Sequence, residues 1–347
     1  MLEGSVRTVP LQQTGVVSIR DAREADHGRI LEIGNTLFSD DYQDTPQEFR
    51  HHRERLLAGG HADVFAVAET SGRIVGYSHY QQMPEQTDRD RYRVIVGVAA
   101  GWRGRGAGGT LYAHLAAALH ARGARVTESF ARETDAHVIG FLVRRGFEEV
   151  MRAWENRLDP RGFDPALFAH YRERVRAGGV VITTLASERD RDPGALRKAY
   201  DLHNAVDADI PSTSPFQAPP LDRYVEHNVT GPNALLDAYF IAKIGDEYVG
   251  ESILRKPGTG AYLLVNTTGV RQPYRGRGIA MALKLATIDY ARIHACPQIR
   301  TWNEINNAGM LAINDRLGFV RTPAWITYER RLAPGERCAS EPEGGPR

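Results

Sequence analysis

Apolar and polar residues alternate around a Gly-containing turn in two separate stretches of this chain, "VFAVAETSGRIVGYSHY" from Val64 and "YFIAKIGDEYVGESILR" from Tyr239. That period of two predicts a β-hairpin in each place. The surroundings of the hairpins match as well. A β start ("VVSIRDA" from Val16; "VVITTLA" from Val180) leads through a polar helical region into the hairpin. A further strand ("YRVIVGV" from Tyr92; "YLLVNTTGV" from Tyr262) then runs into an Arg-Gly loop and a helix. Another strand, a helix and a last strand close each copy.

The loops set the register of the comparison. "WRGRGAGGTLY" begins at Trp102 and "YRGRGIAMALK" at Tyr274, so Arg103 and Arg275 lie 275 − 103 = 172 residues apart. At that same offset Gly97-Val98 falls on Gly269-Val270, Leu111 on Leu283, Ala136 on Ala308 and Gly146-Phe147 on Gly318-Phe319, with no gap. Such a register marks a structural duplication. The expected organisation is one domain over residues 15–160 and a second over 179–333. Between them, over 161–178, Asp164 can cap a helix, Pro165 suits its first position and Gly178 can end it, which predicts a helical linker. The Gly/Pro-rich tail, 334–347, is expected to be disordered.

Composition narrows the classes. A chain of 347 residues with 42% hydrophobic and 25% charged residues is an ordinary globular protein with room for two cores. A formal net charge of +1 argues against nucleic acid or an anionic membrane as partner. Two cysteines, no long apolar run and an N-terminus unlike a signal peptide point to a cytoplasmic protein. The histidines and cysteines form no metal-ligand spacing, so no metal is expected. Lysine occurs only at Lys198, Lys243, Lys256 and Lys284.

Gly104, Gly106 and Gly109 formally match the dinucleotide fingerprint G-x-G-x-x-G, with Glu128 near the expected acidic position. That loop should follow its strand at once, whereas Ala99–Arg103 intervene, and the second copy has Met281 at the last glycine. What both copies share is V-x-x-x-x-R-x-x-G-x-G/A: Val98, Arg103, Gly106 and Gly108; Val270, Arg275, Gly278 and Ala280. This resembles the pyrophosphate loop of the Gcn5-related N-acetyltransferases, the GNAT superfamily, and in particular its tandem members, the group that includes mycothiol synthase. The resemblance implies an α/β fold of two tandem GNAT-like domains, each a mixed, largely antiparallel sheet flanked by helices. It also implies acetyl-CoA as co-substrate and a small-molecule amine as acceptor. Small residues let the backbone approach a pyrophosphate, and amides at a helix N-terminus point at its oxygens. The expected cofactor contacts are Val270, Arg275, Gly276, Arg277, Gly278, Ile279 and Ala280, and in the first copy Val98, Arg103, Gly104, Arg105, Gly106, Ala107 and Gly108. Arg103 and Arg275 either brace the loop or meet an outer phosphate.

Downstream, the superfamily's N-x-x-A-x-x-L-Y-x-x-x-G-F pattern is met by Asn307, Met310, Ile313-Asn314 and Gly318-Phe319, with Asn303 one turn earlier. Asn303 and Asn307 look like contacts to the pantetheine and phosphate arm, or else helix-capping residues. The first copy departs from this, with Ala131, Asp135 and Leu142 in the slots of Asn303, Asn307 and Asn314. A carboxylate at Asp135 would repel phosphates. By analogy with the tandem members, the second copy is the expected catalyst and the first a degenerate one.

The implied reaction is direct attack of a neutral amine on the thioester. Freeing an amine of pKa near 10 at pH 7 costs roughly 4 kcal/mol, so a base is useful. Glu251 is the first candidate; His203, Asp207 and Asp209 are placed to bind a cationic acceptor or relay the proton. His79, Glu128 and Glu133 are the counterparts in the first half. The superfamily's frequent acid, a tyrosine, is replaced by Asn314, which could orient a water. Two alternatives stay open: a non-catalytic acetyl-CoA sensor, and a transferase of another acyl group. The internal pair also suggests a monomer.

Overall fold

The computed structural model describes residues 16–37, 43–83, 88–213, 215–257 and 261–332; the tail expected to be disordered lies outside them. The first half runs β1 (Ser18–Asp21), α1 (His27–Leu37), α2 (Pro46–Ala58), β2 (Asp63–Thr70), β3 (Arg73–Gln81), β4 (Arg91–Val98), α3 (Ala107–Ala121), β5 (Val126–Arg132), α4 (Ala136–Val143) and β6 (Glu148–Leu158). The linker forms α5 (Ala169–Ala177). The second half follows with β7 (Val180–Thr184), α6 (Leu185–Arg189), α7 (Ala195–Asp207), α8 (Leu221–Val225), β8 (Ala234–Ile244), β9 (Glu247–Arg255), β10 (Leu263–Val270), α9 (Ile279–Ile293), β11 (Ile299–Glu304), α10 (Ala308–Arg316), β12 (Val320–Arg321) and β13 (Trp325–Arg331).

Both alternating stretches form the expected antiparallel hairpins, β2–β3 and β8–β9. Their period of two sends side chains to opposite faces. Phe65, Val67 and Tyr77 pack with Ile30 and Ile33 of α1, whereas Ala68 packs with Leu111 of α3, joined by Val75, which a β-bulge opposite Ala68 and Glu69 turns to that face. Leu111, Leu115 and Leu119 bury one stripe of α3, each contributing roughly 2–3 kcal/mol of apolar burial. The first half therefore has helices on both sides of a mixed sheet, and α7 and α9 serve β9 in the same way.

The closing strands do not stay in their own copies. The sheet is continuous, in the order β1-β2-β3-β4-β5-β13-β6-β11-β10-β9-β8-β7, with β12 pairing off β6. Strand β13 of the second half lies between β5 and the start of β6, pairing Trp325↔Arg132 through Arg331↔Val126. Residues 153–158 of β6 lie beside β11 instead, from Ala153↔Glu304 to Leu158↔Ile299. The reason is local. In the second half Thr322–Ala324, with Pro323, separates β12 from β13, but the equivalent Val150–Arg152 run straight through as strand. A straight β6 carries its end out of its own half, and β13 takes the vacated place beside β5.

Candidate functional site

Each Arg-Gly loop is held in one shape by the same devices. Gly104 and Gly106 have φ of +73° and +85°, Gly276 and Gly278 +77° and +84°. Side chains disfavour that region, which is why the glycines recur. Arg103 Nε donates to the Val98 carbonyl (3.1 Å) and Arg275 Nε to that of Val270 (3.0 Å), so both arginines brace the loop onto its strand. The aromatic that opens each motif carries the second arginine: Arg105 lies over Trp102 and Arg277 over Tyr274, both at 5.2 Å. Gly106 and Gly278 are the N-caps of α3 and α9 and offer no side-chain cap, so the first helical amides remain for a ligand.

In the first copy the loop borders a deep cleft. Parallel β4 and β5 pair only from Arg91↔Val126 to Arg93↔Glu128 and then part. The opening is a cavity of about 740 Å³ that includes Val96, Val98, Gly106, Ser129 and Ala131 in its wall. A Cβ built on Gly104 or Gly106 would touch nothing within 4 Å, leaving room for a pyrophosphate against the backbone. Arg103, Arg132, Arg144 and Arg145 outnumber Asp135 on the lining, so the cleft suits a polyanion despite that carboxylate. Asp135 also has a task of its own, accepting from Val138 N at 3.0 Å to cap α4. Asn307 does the same for α10, accepting from Met310 N at 3.2 Å.

The second copy opens at the same point, since β10 and β11 pair only at Leu263↔Ile299 and Leu264↔Arg300. Its side chains are knitted together there. Buried Lys284 donates to Asn314 Oδ1 (2.7 Å), and Asn314 Nδ2 donates to Asn303 Oδ1 (2.6 Å). With no carboxylate paired to it among the described residues, burial pushes Lys284 down to about 7. At the loop, Asp209 pairs with Arg275 and accepts from Gln272 (3.0 Å), and the Arg174 guanidinium of α5 lies where a Cβ of Gly278 would project. A Cβ at Gly269 would run into Val206 of α7.

Glu251, His203 and Asp207 do come together. Glu251 is fully buried; one oxygen meets His203 Nδ1 (2.7 Å) and the other accepts from Tyr239, which is joined to Tyr224 (2.8 Å). His203 Nε2 meets Asp207 at 3.2 Å. Burial alone would lower His203, but the Glu251 and Asp207 carboxylates outweigh it and raise it to about 9. Burial raises Asp207 to about 6 against the pull of His203. Asp209 joins the loop rather than this cluster.

A second cavity of about 450 Å³ adjoins the cleft of the first copy, the two sharing Ile95 and Phe130 as a common wall. Of the first-half suspects only His79 reaches it. Glu128 is held by Arg93 (2.8 Å) and Thr213 (3.1 Å), and Glu133 by Arg152 and the Ala324 amide. His79 Nε2 is 2.7 Å from Asp63, which also pairs with Arg53 at 3.0 Å. Phe65 stacks on the ring at 3.8 Å between centroids. Burial lowers the His79 pKa more than Asp63 raises it, keeping a neutral imidazole. Asp63 was not among the sequence candidates. Its signal is present all the same: Asp63, His79 and Gln81 are polar residues at buried positions of an apolar hairpin.

The Acetyltransferase (GNAT) family pattern matches twice, over residues 29–147 and 201–319. The chain belongs to the GNAT family. The tandem GNAT protein of the clavulanic acid biosynthesis pathway superposes with a TM-score of 0.66 at 17% identity, covering 92% of this chain and 100% of that one. The glucosamine N-acetyltransferase region of a fungal multi-domain β-N-acetylglucosaminidase gives 0.68 at 16% identity, over 93% of this chain and 39% of that one. N-alpha-acetyltransferase MAK3 of Arabidopsis thaliana is 42% identical over 59 residues, 17% of this chain and 31% of its own length. This chain thus spans about a third of that curated relative. The two GNAT repeats in a mixed α/β fold are those expected from the sequence, and acyl transfer from acetyl-CoA is the family's chemistry. Among the described residues no helix is long and apolar enough to cross a membrane, and no group of three His, Cys, Asp or Glu could hold a metal ion.

Proposed function

We propose that the protein is an acetyl-CoA-dependent N-acetyltransferase for a small-molecule amine and that transfer takes place in the first copy. The observation that carries this reading is the pair of adjoining cavities: one bordered by the glycine loop, the other by His79, meeting at Ile95 and Phe130. Coenzyme A would lie against Val98 and the amides of Gly104–Gly108, with the acceptor on the His79 side. The neutral amine attacks the thioester carbonyl, the C–N bond forms, and the C–S bond breaks to release a thiolate. His79, held by Asp63, takes the proton of the attacking nitrogen. The thiolate, with a pKa near 8.5, leaves without a dedicated acid, consistent with Leu142 in the tyrosine slot.

The second copy, favoured by the sequence, supplies the rival reading, supported by the Lys284–Asn314–Asn303 chain at the opening between β10 and β11. There coenzyme A would meet Val270, Arg275–Ala280, Asn303 and Asn307. Glu251 would act only through His203 and Asp207, because both its oxygens are engaged. The exchanged strands place a dimer-like contact within one chain, which supports a monomer; buried, unpaired Cys296 fits a cytoplasmic setting.

Thioester turnover with a panel of amines and acyl donors tests both readings when run on Gly106→Asp and Gly278→Asp. The first substitution should abolish turnover and the second leave kcat largely unchanged. The reverse result would move the site to the second copy, and acetyl-CoA binding without turnover of any amine would leave a sensor.

A further inference from the structure

The acceptor cavity of the first copy is not built by the first copy alone. Its wall includes Arg55 of α2 together with His227 and Arg255 of the second half. His227 sits on a π-helical turn, Glu226–Thr230, a form of helix often kept at functional sites, and β9 ends at Arg255. Arg55 approaches His227 Nδ1 at 3.2 Å; Arg255 approaches Nδ1 at 3.4 Å and also contacts Nε2. Burial, with both arginines adding to it, pushes His227 down to about 3, so the ring between them is neutral.

A neutral imidazole has a single acceptor nitrogen, whereas two guanidinium groups bring ten N–H donors. Whichever tautomer is present, one ring N–H faces a guanidinium. Other side-chain acceptors are scarce: Arg55 has His52 Nδ1 at 3.5 Å and Arg255 has none among the described residues. Among the described residues neither arginine has a carboxylate within 4.0 Å, although the cavity also carries acidic side chains. Those are committed elsewhere: Asp63 to Arg53 and His79, Glu226 to Arg223 (3.1 Å), and Glu48 to Thr45 and Asn233. Asp44 is exposed. Burial first, and then the neighbouring Arg55, lower Arg255 to about 10, with the Glu48 carboxylate pulling the other way.

We infer that the acceptor carries an anionic oxygen group, a carboxylate or a phosphate, which Arg55 and Arg255 clasp while His79 faces its amine. Guanidinium forks match both anions and bind them more strongly than neutral groups. The second half would thereby set the specificity of a site whose chemistry sits in the first. This inference rests on placing transfer in the first copy.

Matched acceptors test it: glucosamine against glucosamine 6-phosphate, and alanine against alaninamide. The anionic member of at least one pair should show kcat/KM higher by about tenfold or more, and that pair distinguishes phosphate from carboxylate. Arg255→Gln should remove the preference without changing KM for acetyl-CoA, and Arg255→Lys should restore part of it. If Arg255→Gln fails to fold, Arg55→Gln reads the same preference. Equal turnover of neutral and anionic amines would overturn the inference and leave the transfer site standing. If no amine is turned over, calorimetry with inorganic phosphate and with acetate decides. Binding of either anion that is lost in Arg55→Gln/Arg255→Gln would keep the anion site while removing the transfer reading; no binding would remove both.

Discussion

Lys284 gives a prediction that can be worked through in numbers. It lies fully buried on α9, its ammonium over Phe319 at 4.6 Å and, among the described residues, hydrogen-bonded only to Asn314. Its native pKa of about 7 stands against 10.5 for the exposed group. The folded state thus binds fewer protons than the unfolded one between those values. Stability therefore rises with pH through that window, and the penalty is complete below about pH 7. At 1.36 kcal/mol per unit, the penalty reaches about 5 kcal/mol at pH 6 and shrinks to about 1.5 kcal/mol by pH 9.5. Lys284→Met fills nearly the same volume without the charge, but leaves Asn314 Oδ1 without its donor at a cost of about 1–3 kcal/mol. The variant should be more stable than wild type by about 2–4 kcal/mol at pH 6, and no more stable, or slightly less, at pH 9.5. Urea denaturation of both proteins at several pH values measures this, provided the slopes agree. A stability difference that is the same at pH 6 and pH 9.5 would refute the reasoning, because Lys284 would then titrate as an exposed lysine does.

Three further outcomes are expected. Asp63→Asn removes the carboxylate that raises His79, so kcat should fall and the acidic limb of its pH profile should move to lower pH; an unmoved limb would exclude His79 as the base. Glu155 is fully buried against Arg157 (2.8 Å), with Arg132 and Arg300 both at 3.7 Å, so that it ties exchanged β6 to β5 and β11. Glu155→Gln should lower unfolding stability by about 3–5 kcal/mol in urea titrations. Glu251→Gln leaves charged His203 without its main partner, costing a similar amount, about 3–5 kcal/mol, near neutral pH. Because His203 is raised to about 9 in the native state, its ion-pair contribution is complete below the usual histidine value and lost as pH rises through 9. The destabilisation by Glu251→Gln should therefore shrink above pH 9, as stability measured at pH 7 and pH 10 will show.

Much of this molecule is written in short-range terms. Two loops place glycines with positive φ at matching positions, and the arginine immediately before each such glycine pair reaches back to the carbonyl that ends the preceding strand. Periods of two and of three to four residues define the hairpins and helices for the same local reason. Hence the duplication, the GNAT fold and the glycine loops were legible along the chain. The partners of the closing strands were not. Residues 153–158 and 325–330 occupy equivalent slots, so pattern alone does not say which of them pairs with β5 and which with β11. Only the uninterrupted run of β6, against the Pro323 break before β13, selects the exchanged arrangement. The site followed the same division. The shape of the glycine loops was legible residue by residue, but Asp63, Arg55, His227 and Arg255 are brought into one cavity only by α2, the first hairpin and two segments of the other half. Burial also turned single residues into something their sequence context does not specify: a neutral His79 held by a carboxylate, a neutral His227 between two cations, and in the second copy Lys284, which burial alone lowers. Desolvation depends on everything packed around a group, and that environment exists only once the chain has folded.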